Sequence, residues 1–318
     1  MPVSDYVNTF GQYMLKLYGQ RVHKIAINAG FTCPNRDGSK GVGGCSFCNN
    51  RSFNPNEKAI SISRQIESAR QVIPKRTGAK RYIAYFQAYT NTYDKVEHLA
   101  DLYEQALAEK DIIGLAIGTR PDCVPDEVLE LLCRYRDQGH EVWLELGLQS
   151  SHDDTLRKVN RGHGFAEYET AITAAQKLGL SVCTHLILGL PDEGFEQMQQ
   201  SLDRVLELGV QGLKFHPLHI VKGTQLARQW QQGEYQPLTM EQYIMMACNL
   251  IELTPEDIIF HRITGTANAD LLLAPQWCSK KWAVINGIEN ELIKRQGYQG
   301  KHHSPVSQPV ALARQVMH

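Results

Sequence analysis

The sequence predicts an α/β protein, a partial (β/α)6 barrel of parallel strands followed by a C-terminal α/β extension. Short apolar or β-branched runs alternate six times with longer segments of 3.6-residue apolar period, and this alternation fades after about residue 222. Strands that are separated by helices run parallel, and six such units either curl into a partial barrel or lie open as a doubly wound sheet. In both arrangements the active site lies at the carboxyl ends of the strands.

The elements follow in a regular order along the chain. A helical segment at residues 4–18 precedes the repeat. The six predicted strands are 23–29, 82–86, 112–117, 141–148, 182–188 and 211–218. The helices between them are predicted at 59–73, 94–109, 125–137, 165–178 and 195–208. In the second of these helices Val96, Leu99 and Tyr103 fall on one face, and Pro125 lies near the first turn of the third, where proline is favoured.

The C-terminal part of the chain has a different pattern. It predicts a helix at 239–253, a strand at 258–264 and a helix at 279–296. We therefore divide the chain into a barrel domain, residues 1–221, and an extension, residues 222–318, which either caps the barrel or forms a small second layer. Residues 280–318 are the most basic region, with six Lys and Arg against two Asp and Glu, a local charge of +4.

The composition predicts a globular protein of the cytoplasm. Of the residues, 42% are apolar and 21% are charged, and the net charge of −1 indicates neither an obligate polyanion binder nor an acidic one. No apolar run approaches the roughly 18 residues that would span a bilayer, and the first residues lack a signal-peptide pattern, so no membrane association is expected. Eight cysteines are too few for a disulfide framework in a chain of 318 residues, which favours a reducing compartment.

Three of the eight cysteines are clustered. Cys33, Cys45 and Cys48 follow the first strand with the spacing C-x11-C-x2-C. A structural zinc site needs four ligands, and no Cys or His lies between Cys48 and His98. A [4Fe–4S] cluster held by three cysteines keeps one iron without a protein ligand, which can coordinate a small molecule and pass it an electron. We favour the cluster; the alternatives are a zinc loop completed by His23 or His98, and independent buried thiols.

The order of the motifs resembles a known family. GFTCPNRDG and GGCSFC, around the cysteines, are followed by AYFQAYTNTY, TRPDC, ELGLQS, NRGH and LGLPDE. A three-cysteine loop after the first strand of a βα series resembles the signature of the radical S-adenosylmethionine (SAM) superfamily. The ordered set is similar to the YhcC-like proteins, in the branch that contains the catalytic subunit of Elongator. The resemblance covers about residues 5–220 with strong motifs and continues more weakly to the C terminus.

This resemblance implies two cofactors and a chemistry. Cys33, Cys45 and Cys48 would ligate a [4Fe–4S] cluster whose open iron chelates the amino and carboxylate groups of SAM. Electron transfer into the sulfonium then cleaves a C–S bond and releases a 5′-deoxyadenosyl radical, with a flavodoxin- or ferredoxin-type protein as the electron donor. Gln149 matches the position that bonds the ribose hydroxyls. Arg161 in NRGH matches the arginine that pairs with the methionine carboxylate, a task suited to a planar fork of donors.

Three further residues are candidates for contact with SAM. Glu145 shares a face of the fourth strand with Gln149 by the two-residue period, so both side chains are expected in the barrel mouth. Gln87 stands where the superfamily usually has a glycine pair whose backbone holds the methionine amino group. His185 stands where several relatives present a carboxylate to the ribose; a histidine can still bond a hydroxyl, but an isolated strand histidine is about as often a satisfied core residue.

Substrate-side candidates lie on the sixth strand. Lys214 and His216 share one face of that strand, and Lys222 follows at the rim. A lysine that points into a barrel needs a partner. Lys214 therefore either neutralises a carboxylate of SAM or of the substrate, or pairs with Glu145 or another interior acid.

Three functional hypotheses follow. The leading one is a radical SAM enzyme that modifies the C5 substituent of a wobble uridine in tRNA, because that is the chemistry the resembling branch implies. Lys280 and Lys281 in the basic C-terminal region, and the clusters at 75–76 and 80–81, are candidate phosphate contacts. The second hypothesis keeps the radical chemistry and assigns a protein or metabolite substrate. The third is a non-catalytic RNA-binding protein with a structural Fe–S or zinc loop.

Overall fold

The structure is a computed structural model that describes residues 2–49 and 60–303. Its helices are α1 (Phe10–Tyr18), α2 (Ile62–Thr77), α3 (Val96–Leu107), α4 (Asp126–Asp137), α5 (Asp153–Lys158), α6 (Phe165–Lys177), α7 (Phe195–Glu207), α8 (Gln225–Gln231), α9 (Met240–Leu253) and α10 (Lys281–Lys294). Its strands are β1 (Val22–Ile27), β2 (Arg81–Phe86), β3 (Ile112–Thr119), β4 (Glu141–Gln149), β5 (Ser181–Leu188), β6 (Gly212–Pro217), β7 (Ile220–Val221), β8 (Ile259–Arg262) and β9 (Leu272–Ala274). Short 3-10 turns lie at Val3–Asp5, Pro121–Cys123 and Gln276–Ser279.

Seven strands form one parallel sheet in the order β1-β2-β3-β4-β5-β6-β8, while β7 and β9 form a separate antiparallel ribbon. The sheet curls into a half-barrel. Side chains of Lys24 on β1 and Lys214 on β6 both reach Glu145 on β4, whereas in a flat sheet β1 and β4 would be about 14 Å apart at a strand spacing of about 4.8 Å. The predicted α/β partial barrel is confirmed.

The sheet contains one more strand than the six of the predicted repeat. The run predicted as a strand at 258–264 forms β8, which pairs in parallel with β6, with Lys214 opposite Arg262. The extension therefore contributes a strand to the barrel sheet, and the domain boundary at residue 221 stays a prediction.

Helix α1 fills the inside of the half-barrel near the amino ends of the strands. Phe10 and Met14 pack with Val22, Ile83 and Trp143 in one apolar cluster. A larger apolar cluster lies outside the sheet, where the helices of the repeat cover the other face. The two clusters leave the carboxyl half of the barrel interior for polar side chains.

Several helix ends differ from the predicted ones, and each has a local cause. The helix predicted at 4–18 begins at Phe10, because Thr9 caps it by accepting the Gln12 N–H at 3.4 Å. The helix predicted at 59–73 continues to Thr77 and ends at Gly78, whose φ of 70° gives a left-handed C-cap; residue 59 lies outside the described residues.

The extension packs on the loops at the carboxyl edge of the sheet. Leu226 at the start of α8 donates its N–H to the Ser46 carbonyl at 2.9 Å, and Asn49 Nδ2 donates to the Lys222 carbonyl at 2.8 Å. Phe47 packs against the apolar cluster beneath α8 and the β7-β9 ribbon. Within the ranges 2–49 and 60–303, no helix has the length and apolar character that crossing a bilayer requires.

Replacing Met14 by Ala should lower the free energy of unfolding by about 2–5 kcal/mol, because the Met14 side chain is fully buried inside the half-barrel and its removal leaves a cavity. Urea unfolding measures the change. Leu17→Ala on the same helix is the matched control, since Leu17 is 53% exposed, and it should change the unfolding free energy by about 0.5 kcal/mol or less. Equal effects of the two substitutions would contradict this placement of α1.

Candidate active site at the carboxyl edge of the barrel

A cavity opens where the predicted site lies, at the carboxyl ends of the strands. Eight of the candidate residues line it: Cys33, Cys45, Cys48, Gln87, Gln149, Arg161, His185 and His216. They come from the loop after β1, from β4, β5 and β6, and from the segments that follow β2 and α5. The tertiary structure therefore brings together residues that are more than 180 positions apart in the sequence.

The cysteine loop presents three thiols to this cavity, and none of them forms a disulfide with a described residue. Gly43 and Gly44, with φ of 85° and 81°, turn the chain just before Cys45. A Cβ at Gly44 would lie 2.7 Å from Arg36 Nε, so this position needs a glycine for the close approach as well as for the φ. Burial, with a contribution from neighbouring Cys45, raises the pKa of the Cys48 thiol to about 11, so metal ligation by Cys48 would release a proton near neutral pH.

The arrangement of donors does not favour the zinc alternative. Among residues 2–49 and 60–303, no group of three or more His, Cys, Asp or Glu side chains lies close enough to hold a single metal ion. His98 is exposed on α3, and His23 is exposed near the amino end of β1, away from the cysteine loop. In a [4Fe–4S] cluster each cysteine binds a different iron, so its thiols do not have to converge on one point.

The loop after α5 is hydrogen-bonded to the cysteine loop. Ser46 N–H donates to the Val159 carbonyl at 2.9 Å, and Asn160 Nδ2 donates to the Gly44 carbonyl at 2.8 Å. Asn35, which is fully buried, donates to the Asn160 carbonyl at 2.6 Å. These bonds hold the segment of the NRGH motif against the cysteines.

Arg161 reaches from this segment into the cavity wall. Its Nη1 lies 3.5 Å from Cys45 Sγ, and its Nη2 donates to the Gly147 carbonyl at 2.5 Å. Its Nε is buried and makes no hydrogen bond to any residue that the structure describes. A Cβ at Gly147 would lie 2.9 Å from both Arg161 Nη2 and Gln149 Nε2, so the glycine makes room for the two side chains.

The TRPD segment locks the neighbouring loops together. Arg120 Nε and Nη2 each donate to Asp122 at 2.9 Å, Arg120 Nη1 donates to the Arg161 carbonyl at 2.8 Å, and Lys40 donates to Asp122 at 2.6 Å. Burial alone would raise the pKa of Asp122, but the hydrogen bonds and charges of Arg120, and then of Lys40, lower it to about 2. Arg120 and Asp122 therefore act structurally, as a pair that connects the loops after β1, β3 and α5.

Two cavity residues have unusual backbone conformations. Gln149 and Tyr89 have φ of 85° and 67°, in the left-handed region that side chains other than glycine rarely adopt. Such strain of about 1–3 kcal/mol is characteristic of functional sites. Beside them, Thr90 Oγ1 lines the cavity, is buried, and makes no hydrogen bond to a described residue.

Glu145 does not line the cavity. It is completely buried one layer below, where Oε1 accepts from Lys24 at 2.5 Å and Oε2 accepts from Lys214 and, at 2.8 Å, from His185 Nε2. Burial alone would raise the pKa of Glu145, but the charges of Lys214 and Lys24 and the hydrogen bonds from His185 and His261 hold it well below its usual range. The expectation that Glu145 points into the barrel mouth beside Gln149 is therefore corrected, because two lysines already engage its carboxylate.

Lys214 takes the second of its two predicted roles, a pair with Glu145. It also donates to the Tyr85 hydroxyl at 2.9 Å. Burial, with the charges of Lys24 and Arg262 adding to it and Glu145 opposing it, lowers the pKa of Lys214 to about 8. Burial and Lys214 lower the pKa of His185 to about 4, so His185 is neutral near pH 7 and donates its Nε2–H to Glu145.

The remaining substrate candidates lie outside the cavity. Lys222 is exposed beside α8. The side chains of Lys280 and Lys281, at the start of α10, have much of their surface exposed. Partial desolvation of the His23 imidazole on β1 lowers its pKa, and the charge of Lys281 lowers it further. Partial desolvation of the Lys281 ammonium lowers the pKa of Lys281, and the charge of Arg262 on β8 adds to this effect. These two lysines therefore lie beside the gap between the two edge strands.

Sequence reasoning missed several residues of the site. Lys24, Tyr85 and Thr90 belong to it, and so does Arg36, whose Nη2 donates to the Cys48 carbonyl at 2.5 Å. The two-residue period of β1 places Val22 and Lys24 on one face, and an internal lysine on that face is a signal that could have indicated Lys24. The other three residues carry no such signal.

Comparisons with known proteins identify the family of the chain. Residues 29–205 match the radical SAM superfamily, and residues 210–294 match the Radical SAM C-terminal domain. The chain therefore belongs to the radical SAM superfamily and is a radical SAM enzyme; proteins of this family generally bind a [4Fe–4S] cluster and SAM.

Individual relatives indicate which proteins of the superfamily the chain is similar to. Protein YhcC of Escherichia coli (strain K12) is 48% identical over 301 residues, which cover 94% of this chain and 96% of YhcC. Elongator complex protein 3 of Schizosaccharomyces pombe is 29% identical over 176 residues, 54% of this chain and 31% of that protein. The structure of the archaeal Methanocaldococcus infernus Elp3 with an N-terminal deletion has the same fold, with a TM-score of 0.64 at 18% identity, over 87% of this chain and 64% of that chain. The predicted likeness to YhcC-like proteins and to the Elongator branch is confirmed.

The lowered pKa of Lys214 gives stability a specific pH dependence. In the unfolded chain Lys214 should titrate near pH 10.5 and in the folded protein near pH 8, so protonated Lys214 disfavours folding below pH 8, and this penalty disappears as pH rises from 8 to 10.5. The unfolding free energy of the wild type should therefore rise over that interval relative to Lys214→Met. Urea unfolding at several pH values measures the difference; a constant difference from pH 7.5 to 10 would contradict the shift.

Proposed function

We propose that this chain holds a [4Fe–4S] cluster on Cys33, Cys45 and Cys48, binds SAM beside it, and modifies the C5 substituent of a wobble uridine in tRNA. One observation carries the cofactor part of the proposal. The three thiols share a single cavity with Arg161 and Gln149, at the edge of the sheet where parallel α/β proteins have their active sites.

The residues present fit both cofactors. Three thiols that do not converge on one point suit a cluster with one open iron. A Cβ at Gly43 would meet no atom within 4 Å, so this glycine leaves open space beside Cys45, and Gly147 lets Arg161 and Gln149 approach each other in the cavity wall. Arg161 Nε and Thr90 Oγ1 are buried polar atoms without a hydrogen bond among the described residues, and a polar ligand would satisfy them.

We assign a separate role in the cavity to each of these side chains. Arg161 is fixed by the Gly147 carbonyl and offers its remaining N–H to the carboxylate of SAM. Gln149 offers its amide to the ribose hydroxyls, the role that the family resemblance assigns to its position. Ile187 and Leu218 line the cavity beside His185 and exclude water from it. When bound, the cluster and SAM supply a 5′-deoxyadenosyl radical, and excluding water protects such an intermediate.

The tRNA part of the proposal rests on the relationship to Elongator complex protein 3 and on the position of basic residues. The predicted clusters at 75–76 and 80–81 lie at the end of α2 and the start of β2, at the amino edge of the sheet and away from the cavity. Lys280 and Lys281 are nearer to the barrel interior, beside the gap between β1 and β8. We therefore assign phosphate contacts to Lys280 and Lys281.

Two other basic residues of the C-terminal region, at the end of α10, have acidic neighbours. Lys294 lies 3.6 Å from Glu291, and Arg295 lies 3.2 Å from Glu252, which is buried. Arg314, the last basic residue of the C-terminal region, lies outside the described residues. A flavodoxin- or ferredoxin-type protein is the proposed electron donor, because cleavage of SAM needs one electron per turnover.

Protein prepared without oxygen should contain close to four iron and four sulfide per chain and, once reduced, should convert SAM to 5′-deoxyadenosine and methionine. Cys45→Ala should lose both the iron and this activity because it removes a cluster ligand. Cys133→Ala is the matched control, since Cys133 lies on α4 away from the cavity, and it should retain both. Stoichiometric zinc without iron, or full iron content in Cys45→Ala, would contradict the proposed cluster site.

Deleting the gene should change the wobble-uridine nucleosides of tRNA, measured by mass spectrometry of digested tRNA against the parent strain. For the purified protein, Lys280→Ser with Lys281→Ser should flatten the log–log salt dependence of tRNA affinity by about 0.9 or less for each phosphate that is no longer neutralised. Lys75→Ser with Arg76→Ser, in the last turn of α2, should leave the slope unchanged. Unaltered nucleosides in the deletion strain would favour a protein or metabolite substrate.

A further inference from the structure

The floor of the cavity is formed by Tyr85, His185 and His216. His185 is also a candidate contact for the ribose of SAM, whereas Tyr85 and His216 have no part in the cluster site or in the assigned SAM contacts. Tyr85 accepts a hydrogen bond from Lys214 at 2.9 Å, and His185 donates to Glu145 at 2.8 Å. Each of these two floor residues is therefore one hydrogen bond away from a buried charge. What the floor binds depends on the sign of the charge behind it.

The charges behind the floor do not balance. Lys24 and Lys214 both pair with the single carboxylate of Glu145. Arg262 lies opposite Lys214 on the neighbouring strand β8 and adds a third cation. Among the described residues, no second carboxylate bonds to any of the three, so three positive charges face one negative charge.

Arg262 is the least satisfied of these cations. Its guanidinium is half-buried and makes no hydrogen bond or ion pair with a residue that the structure describes. After burial, its charge is the largest contribution that keeps the pKa of His216 well below the usual range, so it lies close to this floor residue. A Cβ at Gly265 would lie 2.7 Å from His216 Nδ1, so Gly265 lets the chain after β8 pack closely against His216.

Uncompensated charge of one sign in a protein interior is destabilising, and a counter-charge relieves it. The histidines cannot supply that counter-charge, because an imidazole is either neutral or, once protonated, positive. Lys281, at the outer end of the gap between β1 and β8, has the same sign. Among residues 2–49 and 60–303 no acid other than Glu145 pairs with these cations, and a negatively charged ligand would supply the balancing charge.

We propose that the substrate carries an oxyanion, a phosphate or a carboxylate, which binds at the cavity floor against His216 and Tyr85 and is neutralised by Arg262 and Lys214. This site is distinct from the subsite of the SAM carboxylate, since Arg161 contacts Cys45 and the Gly147 carbonyl on the side of the cysteine loop. The inference rests on the proposed function in one respect, that the reaction takes place in this cavity. The proposed anion site restricts the possible substrates to molecules that carry a negatively charged group next to the part that reacts.

The test is calorimetric titration of the anaerobic holoenzyme, saturated with SAM, with inorganic phosphate and, separately, with acetate. Saturation with SAM fills the cofactor's own carboxylate subsite, so further binding reports a second anion site. Whichever anion binds more tightly identifies a phosphate or a carboxylate as the source. The titration at pH 8 is repeated in buffers of different ionisation enthalpy, because an anion at the floor favours charged Lys214 and binding should take up protons.

Arg262→Gln should weaken binding of the preferred anion by about tenfold or more, because it removes one of the three positive charges behind the cavity floor. Arg262→Lys, which keeps the charge, should retain most of the affinity. Arg81→Gln is the matched control, because Arg81 is an exposed arginine at the amino end of β2, and it should bind like the wild type.

Wild-type affinity and proton uptake in Arg262→Gln would overturn the proposal, and so would a wild-type holoenzyme that binds neither anion. Loss of binding in Arg262→Gln and Arg81→Gln alike would also overturn it, since that result indicates a general effect of net charge. The experiment contains no RNA. If the tRNA experiments fail, the proposed macromolecular substrate is rejected and the proposed anion site is unaffected. If the anion titration fails, the anion site is rejected and the proposed tRNA substrate is unaffected.

Discussion

The buried carboxylate of Glu145 organises the interior of this half-barrel. It stands on β4, near the middle of the sheet, and receives Lys24 from β1, Lys214 from β6 and His185 from β5. A buried carboxylate without such partners is strongly destabilising. The pairing therefore requires the sheet to curl until β1 and β6 both approach β4. It also leaves an excess of positive charge behind the floor of the cavity.

The cysteine loop, by contrast, depends on residues that are distant in sequence. Its conformation is held by Asn160 and Arg161, more than 110 positions further on, and by the backbone of Leu226 in the extension. The Arg120–Asp122 pair joins the same assembly from the third strand. Because these groups are buried and hydrogen-bonded to one another, they restrict the conformations open to the loop, and this restriction lowers the entropic cost of holding a cluster.

The relatives and the geometry inform different parts of the function. Family membership establishes the kind of enzyme, since it covers most of the chain. Which molecule reacts depends on the walls and the floor of the cavity, where Tyr85 and His216 lie in front of Arg262 and Lys214. One fold supports many reactions, and the residues of the site determine which of them takes place.

The sequence by itself determined the repeat of strands and helices and the three-cysteine loop, because periodicity and motif spacing are local properties of the chain. The resemblance of its motifs to a known family indicated Gln149 and Arg161. The tertiary structure decided that Glu145 is a buried partner of lysines and not a cavity residue, that the strand at 259–262 joins the barrel sheet, and that Lys24 and Arg262 belong to the site. Strand period gives the face of a sheet on which a side chain lies, but not its depth in the barrel or the charge opposite it. Depth and charge pairing depend on how far the sheet curls, and that curvature is set by packing among strands that are far apart in sequence.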